Sequence, residues 1–542
     1  MASRSFSVLM IGLLLTGVSL FPVEKSEASE KPDGSSPSFV HYHAPDTLAY
    51  DELLEISATG QPTATLRLKL DTLLSVPFIS NEANASSAAV ELARSDKLGS
   101  FIRVGSWNIQ RGAEFDRIKA ALENPELFER QVKAARGSDK FKRIIQQLDT
   151  LRSVDVLALN EVDLGLKRTQ YRDVAREMAA ALKMNYAFGV EFVEVDPVNL
   201  GTEQFKEVSN DEKRAGLRQL IEVDKGRYRG LHGTAILSRF PIKRATLVPF
   251  KYQAYDWYTE EKSRISLAEA ARRQLGRMAF LQETPREVRL GGRSLLVAEL
   301  DVPQLPEGTM TVAATHLESR CGPEERRRQM QEALSLIKEV KGPLALVGDF
   351  NTSGSNTRPT SIRGELMRRV KDKNFWIKLG INTVAPLGPA FDFLMGIASF
   401  ARTVHDPTAR GIFLFGPNKE AGIFKDLEGF RFSDGYAFDF RGDPERSINK
   451  TGGTLANSNS RSHKKGFITT YSLDRSYWAV GKNKLDWILI KAYARNPRGK
   501  SEPYRLAPHF AQTLEELNYS TGRRFSDHNP ITVDLPVEEP TI

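Results

Sequence analysis

Six short apolar runs between Trp107 and Leu535 each meet a carboxylate, an imidazole or an amide at one end. The junctions are Trp107-Asn108, Asn160-Glu161, Thr315-His316, Gly348-Asp349-Phe350-Asn351 and Leu485-Asp486-Trp487. The sixth is Ser526-Asp527-His528-Asn529-Pro530, ahead of the alternating Ile531, Val533 and Leu535. Apolar runs of four to eight residues read as buried strands. A chain with this pattern must build sheets, and polar groups at strand ends fall along a sheet edge.

Helical periods separate the strands. Phe101 to Val104 is a short strand, and residues 114–151 carry helical spacing through Phe115, Ile118, Leu122, Phe141, Ile144, Ile145 and Leu148. Val154 to Leu159 reads as a buried strand, and Tyr171 to Leu182 as a helix. Strands follow at Gly233–Ser238, Ser294–Leu300 and Met310–Thr315, then a helix over Glu324–Val340 and a strand over Leu344–Val347. Strands that alternate with helices and later cluster predict two packed sheets with helices outside, an α/β layered fold. Residues 29–45 read as a linker, and residues 47–100 as a mostly helical block broken at Gly60-Gln61-Pro62. Residues 352–484 show few clear periods and are expected to be an irregular insertion beside the site.

The chain has 542 residues, a formal net charge of +8 and one cysteine, Cys321. The length predicts one large domain with extensions, or two domains. The basic balance favours anionic partners such as nucleic acid, anionic lipid or phosphorylated small molecules. A single cysteine excludes an internal disulfide. Cys321 is close to His316, but no basic group activates it, so a semi-buried free thiol is expected. Arg4, the apolar stretch Phe6–Phe21 and Ser26-Glu27-Ala28 match an export signal over residues 1–28, with an uncleaved membrane anchor as the alternative. Export without disulfides suits a bacterial periplasm or exterior.

Each candidate residue has a chemical use and a plainer one. Glu161 can hold a hard divalent ion through oxygen, or form a strand-end salt bridge. Asn108 can contact a metal, its water or a phosphate oxygen, or cap a turn. Asp349 can orient or deprotonate water, and Asn351 can donate to a phosphate. His316 can stabilise a developing phosphoryl charge, or be a structural histidine satisfied by Glu318 and Arg320. Asp486 can fix the tautomer and charge of His528. Adjacent strand residues point to opposite faces, so Asp527 and His528 serve one site only from a turn before the strand. Asp392, His405, Asp406, Asp434 and Asp439 can line the site or solvate loops, and the second reading is preferred. Arg461, His463, Lys464 and Lys465 are the best local basic cluster, with little aromatic interleaving.

Seven segments together resemble the endonuclease/exonuclease/phosphatase superfamily: SWNIQRG (106–112), DVLALNEVD (155–163), GTAILSR (233–239), ATHLES (314–319), VGDFNT (347–352), LDWILI (485–490) and SDHNPI (526–531). That superfamily includes pancreatic deoxyribonuclease, apurinic endonucleases, neutral sphingomyelinases and inositol polyphosphate 5-phosphatases. The resemblance implies a deoxyribonuclease I-like fold: a four-layer α/β sandwich of two packed mixed β-sheets flanked by helices, over residues 101–536. It implies a divalent cation, usually Mg2+, with Mn2+ or Ca2+ as alternatives. By it, Glu161 is the main metal ligand, Asn108 assists and Asp527 is a second metal-side residue. Asp349 positions or activates the attacking water, Asn351 and His316 bind the substrate phosphate, and His528, paired with Asp486, contacts the scissile group. Some members carry tyrosine where this chain has His316, and the histidine form is similar to the sphingomyelinase and deoxyribonuclease branches.

The expected function is an exported, metal-dependent phosphodiester hydrolase, endonuclease-like because the chain is basic. The expected partner is a phosphodiester substrate, with nucleic acid or membrane lipid as candidates and no obligate protein partner evident. A sphingomyelinase-like lipid phosphodiesterase or a phosphatase is the alternative. A non-catalytic binding protein is disfavoured, since no expected polar position is missing.

Overall fold

A computed structural model of the chain describes residues 40–86, 90–135, 137–195, 223–262, 288–352, 411–412, 416–417, 420–440, 446, 469–477, 480–492 and 505–540. The first sheet holds ten strands: β1 (Tyr42–His43), β2 (Phe78–Ser80), β3 (Ala93–Ser95), β4 (Gly99–Asn108), β5 (Val156–Leu164), β6 (Asn185–Glu194), β7 (Leu231–Ser238), β9 (Arg289–Gly291), β18 (His509–Thr513) and β19 (Ile531–Pro536). Its order is β1-β2-β6-β7-β5-β4-β19-β18, with β3 beside β4 and β9 beside β6. The second sheet holds β8 (Ile242–Pro249), β10 (Ser294–Asp301), β11 (Thr309–His316), β12 (Leu344–Asp349) and β17 (Asp486–Lys491), in the order β17-β12-β11-β10-β8. Two ribbons complete the strands: β13 (Gly411–Ile412) with β14 (Gly416–Pro417), and β15 (Tyr471–Tyr477) with β16 (Val480–Asn483). Each main sheet is mixed. The β4–β5 and β11–β12 pairs are parallel among antiparallel neighbours.

Three apolar layers separate four structural layers. Outside the first sheet lie α1 (Tyr50–Thr59), α2 (Ala64–Ser75), α3 (Phe115–Glu123), α4 (Pro125–Ala135), α5 (Ser138–Arg152) and α6 (Val174–Leu182). Their inward residues follow the helical period: Phe115, Ile118 and Leu122 on α3, and Ile144, Leu148 and Leu151 on α5. They meet Leu157, Leu159, Phe188 and Leu237 of the sheet. Between the sheets, Val104, Val156, Ala158 and Ile236 face Leu296, Val312, Ala345 and Ile488. Outside the second sheet, Met330, Ala333, Leu334 and Ile337 of a helix over Pro323–Ile337 cover Leu344 and Leu346. This is the expected four-layer sandwich. Among the described residues no helix is long and apolar enough to cross a membrane.

The structure differs from the sequence reading in several places. The block 47–100 does hold the two helices, α1 and α2, but it also supplies β2, which pairs with β6 and extends the first sheet. Tyr42 and His43, inside the expected linker, pair with β2 as its edge strand. Strands β6 and β8 were not expected. Every residue of β6 is buried, so its helix-side and sheet-side residues do not alternate in polarity and period two is hidden. Within 352–484, a helix over Ala421–Gly429 packs Phe424 on Trp487, ring centres 4.7 Å apart. Asp434 pairs with Lys491 and Asp439 with Arg446, so both have structural partners. Cys321 is fully buried rather than semi-buried, and burial pushes its thiol up to about 12. Asp392, His405, Asp406, Arg461, His463, Lys464, Lys465 and segment 1–28 lie outside the described residues.

Candidate active site

The second sheet presents one row of three polar residues. In register, His316 of β11 stands opposite Asp349 of β12, and Asp349 opposite Asp486 of β17. Side chains on one rung of neighbouring strands share a face. The row faces the first sheet, where Asn108 ends β4 opposite Asn160 of β5. Asn160 clamps the two sheets together. Its Oδ1 accepts from the Asp349 N–H at 2.9 Å, and its Nδ2 donates to Thr234 Oγ1 at 3.0 Å. Gly348 makes this approach feasible. It holds φ +136°, and a Cβ there would lie 1.9 Å from the Thr315 carbonyl oxygen.

Glu161 is not at a strand end. β5 continues to Leu164, and the register slips between Leu159 and Val162. Glu161 occupies the resulting bulge with φ +56°, a conformation that costs energy outside glycine. The bulge turns its carboxylate to the site, where Oε1 accepts from Asn108 Nδ2 at 3.1 Å. The same amide nitrogen lies 3.1 Å from Asp349 Oδ2, so one side chain bridges the carboxylates of two sheets.

The segment before β19 is a turn, as the Asp527-His528 pair requires. Ser526 Oγ donates to the Asn108 carbonyl at 2.7 Å and accepts from the His528 N–H at 3.0 Å. Trp107 Nε1 donates to the His528 carbonyl at 3.0 Å. Asp527 takes its N–H to Gln110 Oε1 at 3.0 Å. The turn thus hangs on the end of β4. His528 Nδ1 then sits 2.8 Å from Asp486 Oδ2, and its Nε2 3.6 Å from Asp349 Oδ2. His316 Nε2 is also 3.6 Å from Asp349 Oδ2. Asn351 donates its N–H to Asp349 Oδ1 and its Nδ2 to the Leu317 carbonyl, both at 2.8 Å. The structure therefore brings Asn108, Glu161, His316, Asp349, Asn351, Asp486, Asp527 and His528 to one place.

Their charges differ sharply. Burial opposes the His528 cation, but Asp486, Asp349 and Asp527 lift its pKa to about 10. Burial and the neighbouring Asp486 raise Asp349 to about 7, against the pull of His528. Burial also opposes the Glu161 charge, yet Arg111 and the Asn108 hydrogen bond help bring it to about 2. Its side chain is 24 % exposed, so solvent screens part of that effect. Burial, Asp349's cation partner His528 and nearby Arg293 hold His316 well below the ordinary histidine value. Two buried atoms here, His316 Nδ1 and Asp486 Oδ1, have no hydrogen-bond partner among the described residues.

The sequence model of the "Endonuclease/Exonuclease/phosphatase family" matches residues 105–528, from the end of β4 to His528 itself. This chain belongs to that family. No curated protein matches it in sequence. Similar solved structures include an endonuclease/exonuclease/phosphatase from Beutenbergia cavernae, with 16 % identity over 81 % of this chain and 72 % of that one, TM-score 0.34. The human Nocturnin catalytic domain with bound sulfate is similar at 16 % identity over 80 % of this chain and 94 % of that one, TM-score 0.31. A Bacteroides thetaiotaomicron family protein is similar at 11 % identity over 80 % and 95 %, TM-score 0.31.

Beside these residues, this family member carries a buried ionic network that the sequence reading missed. Arg168 grips Asp163 at 2.6 and 2.9 Å and Glu194 at 2.8 and 3.0 Å. Arg293 joins Glu191 at 2.8 Å to Glu318 at 3.3 Å. Glu318 also accepts from Trp257 Nε1 at 3.0 Å and from the Arg320 N–H at 2.9 Å. Glu318 and Arg320 are thus engaged elsewhere and do not satisfy His316. The only signal in the sequence was the density of charge in strands that are otherwise apolar, such as Asp163, Glu191 and Glu194.

Proposed function

We propose that the chain is an exported, divalent-cation-dependent phosphodiester hydrolase, and that nucleic acid is its first-choice substrate. The observation that carries this reading is the meeting of Asn108, His316 and His528 on one carboxylate oxygen, Asp349 Oδ2, within 3.1 to 3.6 Å. Such a centre binds an anion's oxygens with one cation and several hydrogen bonds while holding a base among them.

The donor set fits a hard cation. Glu161 is held ionised and Asp527 adds a carboxylate within its electrostatic reach, while Asn108, whose Oδ1 accepts from the Gln110 N–H and whose Nδ2 donates to Glu161, would hold the Glu161 carboxylate in place. Asp349, Asp486 and His528 also offer ligand atoms within 4.8 Å of one another. Two of those atoms bond each other, since Asp486 Oδ2 and His528 Nδ1 are 2.8 Å apart, so we assign the cation to the Glu161 side. When bound, Mg2+ would neutralise a non-bridging phosphate oxygen and stabilise the leaving oxygen.

The chain's own residues do the rest. Asp349, raised to about 7, accepts a proton from the attacking water near neutral pH. Hydrogen bonds to both of its oxygens fix its orientation. His528 carries positive charge to the phosphate and keeps it because Asp486 holds Nδ1. His316, held neutral, contributes a hydrogen bond without another charge. Asn351 keeps one amide hydrogen for the phosphate after bonding Leu317. The net charge of +8 supports a polyanionic substrate. Export rests on segment 1–28, and secreted protein should begin at Ser29 by N-terminal sequencing.

The test is cleavage of plasmid DNA, RNA, sphingomyelin and bis(4-nitrophenyl) phosphate by purified protein, with Mg2+ or with chelator. DNA cleavage that chelator stops is the expected result. Sphingomyelin cleavage with DNA intact would move the assignment to the lipid branch. Silence on every diester, with Mg2+ bound, would overturn the reading.

A further inference from the structure

Two strand irregularities flank Gly233. β5 slips between Leu159 and Val162, opposite Thr234 on one side of Gly233, and β6 slips between Val190 and Phe192 on its other side, where the pairing passes from Gly233 to His232. A Cβ on Gly233 would lie 1.9 Å from the Gly189 carbonyl oxygen, so the three strands close tightly only around glycine. A bulge inserts one residue and reverses the inward–outward alternation beyond it. Asn160 and Asp163 therefore both face the space between the sheets, although they are an odd number of positions apart. Val162 points the other way, into the helix-side core.

Asp163 stands directly opposite His232, and its Oδ1 lies 2.8 Å from His232 Nδ1. Arg168 holds both oxygens of that carboxylate. A carboxylate gripped in this way is an acceptor, so Nδ1 carries the ring hydrogen. Burial and the guanidiniums of Arg289 and Arg168 keep the ring neutral, which leaves a lone pair on Nε2. Among the described residues Nε2 has no hydrogen-bond partner, although His232 is only 2 % exposed. The ring lies within electrostatic reach of both Glu161 and His316, the two sides of the reaction centre. The mechanism above does not use it.

A lone pair that no donor among the described residues meets and that solvent still reaches is open to a donor on a ligand. A phosphate oxygen cannot be that donor, but a hydroxyl on the substrate alcohol can. We propose that His232 determines specificity: its Nε2 accepts a hydrogen bond from a substrate hydroxyl vicinal to the ester oxygen of the bound phosphate. Asp163 is the positioning residue, since it selects the tautomer. The inference deepens the phosphodiesterase reading and rests on the same site. A ribose and a cyclitol both carry such a hydroxyl, so two pairs of probes distinguish the sources.

Binding of each probe to the full chain with Mg2+ is measured by calorimetry. One pair is uridine 3′-monophosphate and 2′-deoxyuridine 3′-monophosphate. The other is myo-inositol 1-phosphate and cyclohexyl phosphate. The expected result is roughly 10- to 100-fold tighter binding of the hydroxylated member in at least one pair, the usual range for one buried hydrogen bond. In His232→Leu that preference should shrink to about 3-fold or less, with the hydroxyl-free member bound as before. Asp163→Asn keeps the ring but lets an amide donate to Nδ1, so it should abolish the preference as well. No preference by the wild-type chain in either pair overturns the inference, even if both variants fail to fold. So does a nitrogen coupling on bound Mn2+ that His232→Leu removes, because Nε2 would then be a metal ligand. A hydroxyl preference without cleavage of any diester would retain this inference and overturn the hydrolase reading.

Discussion

The molecule holds two aspartate–histidine pairs with the same 2.8 Å separation and opposite charge. Asp486–His528 is ringed by carboxylates, Asp349 and Asp527 among them, and its imidazole is raised to about 10. Asp163–His232 is ringed by guanidiniums, Arg168 and Arg289, and its imidazole is pushed well below the ordinary value. Burial disfavours the cation in both, so burial does not separate them. The surrounding charges do. A histidine paired with a carboxylate is therefore no fixed device. One pair brings positive charge to the phosphate and the other a lone pair, and the strands around each decide which.

The largest effect should come from breaking the first pair. Asp486→Asn should lower kcat on bis(4-nitrophenyl) phosphate by roughly a thousandfold, in the range of lost general acid–base and charge-positioning groups. The chain should stay folded, with a thermal midpoint lowered at neutral pH because buried His528 loses its counter-charge. Unchanged turnover would remove Asp486 from the mechanism. Glu161→Gln should weaken Mg2+ binding by more than about tenfold in calorimetry, since it removes the ionised ligand and keeps its shape. Undiminished Mg2+ affinity would move the cation site elsewhere.

Breaking the second pair's support should act on stability first. Arg168→Ala leaves Asp163 without its guanidinium and Glu194 with Arg289 alone, which should cost about 3 kcal/mol in denaturant unfolding. A loss under about 1 kcal/mol would mean the network is not a structural clamp. The titrations sharpen the contrast further. His528 has a folded pKa above its unfolded value of about 6.5. Its contribution to stability is full below that pH and is lost as pH rises through about 10. Unfolding free energy of the metal-free chain should fall across that window, and Asp486→Asn should flatten the slope. At pH 8, nitrogen NMR should show His528 as imidazolium and His232 as the neutral Nδ1–H tautomer. The smallest change is expected from Arg289→Gln, which should move His232 upward toward the ordinary value while turnover changes by less than about threefold. An unmoved His232 would reject Arg289 as the source of its neutrality.

Much of the site could be read from the sequence because its residues sit beside strong strand signals. Asp349 follows Leu344–Val347, and Asp486 precedes Trp487–Ile490, so each was found by the apolar run it borders. Glu161 was found as well, but for an incomplete reason. The apolar run ends at Leu159, yet the strand continues, and the bulge at Glu161 leaves no trace in composition. Beyond it the alternation reverses, and Asp163 looks like a residue on the wrong face. His232 was passed over for the same reason, since Leu231-His232-Gly233 reads as the frayed start of a strand. Strand β6 was missed because it is buried along both faces, which erases period two. Strand β2 was missed because three residues carry too little pattern to separate from the helices before them.

By itself the sequence determined the apolar core of most strands, the layered α/β class and the family. Those follow from local periodicity and from short motifs, and neither depends on a distant partner. Only the tertiary structure decided the bulges, the alignment of His316, Asp349 and Asp486 on one rung, and the charge on each histidine. Register is set by pairing between segments far apart in the chain, and a pKa by whichever charges that pairing brings within a few ångströms.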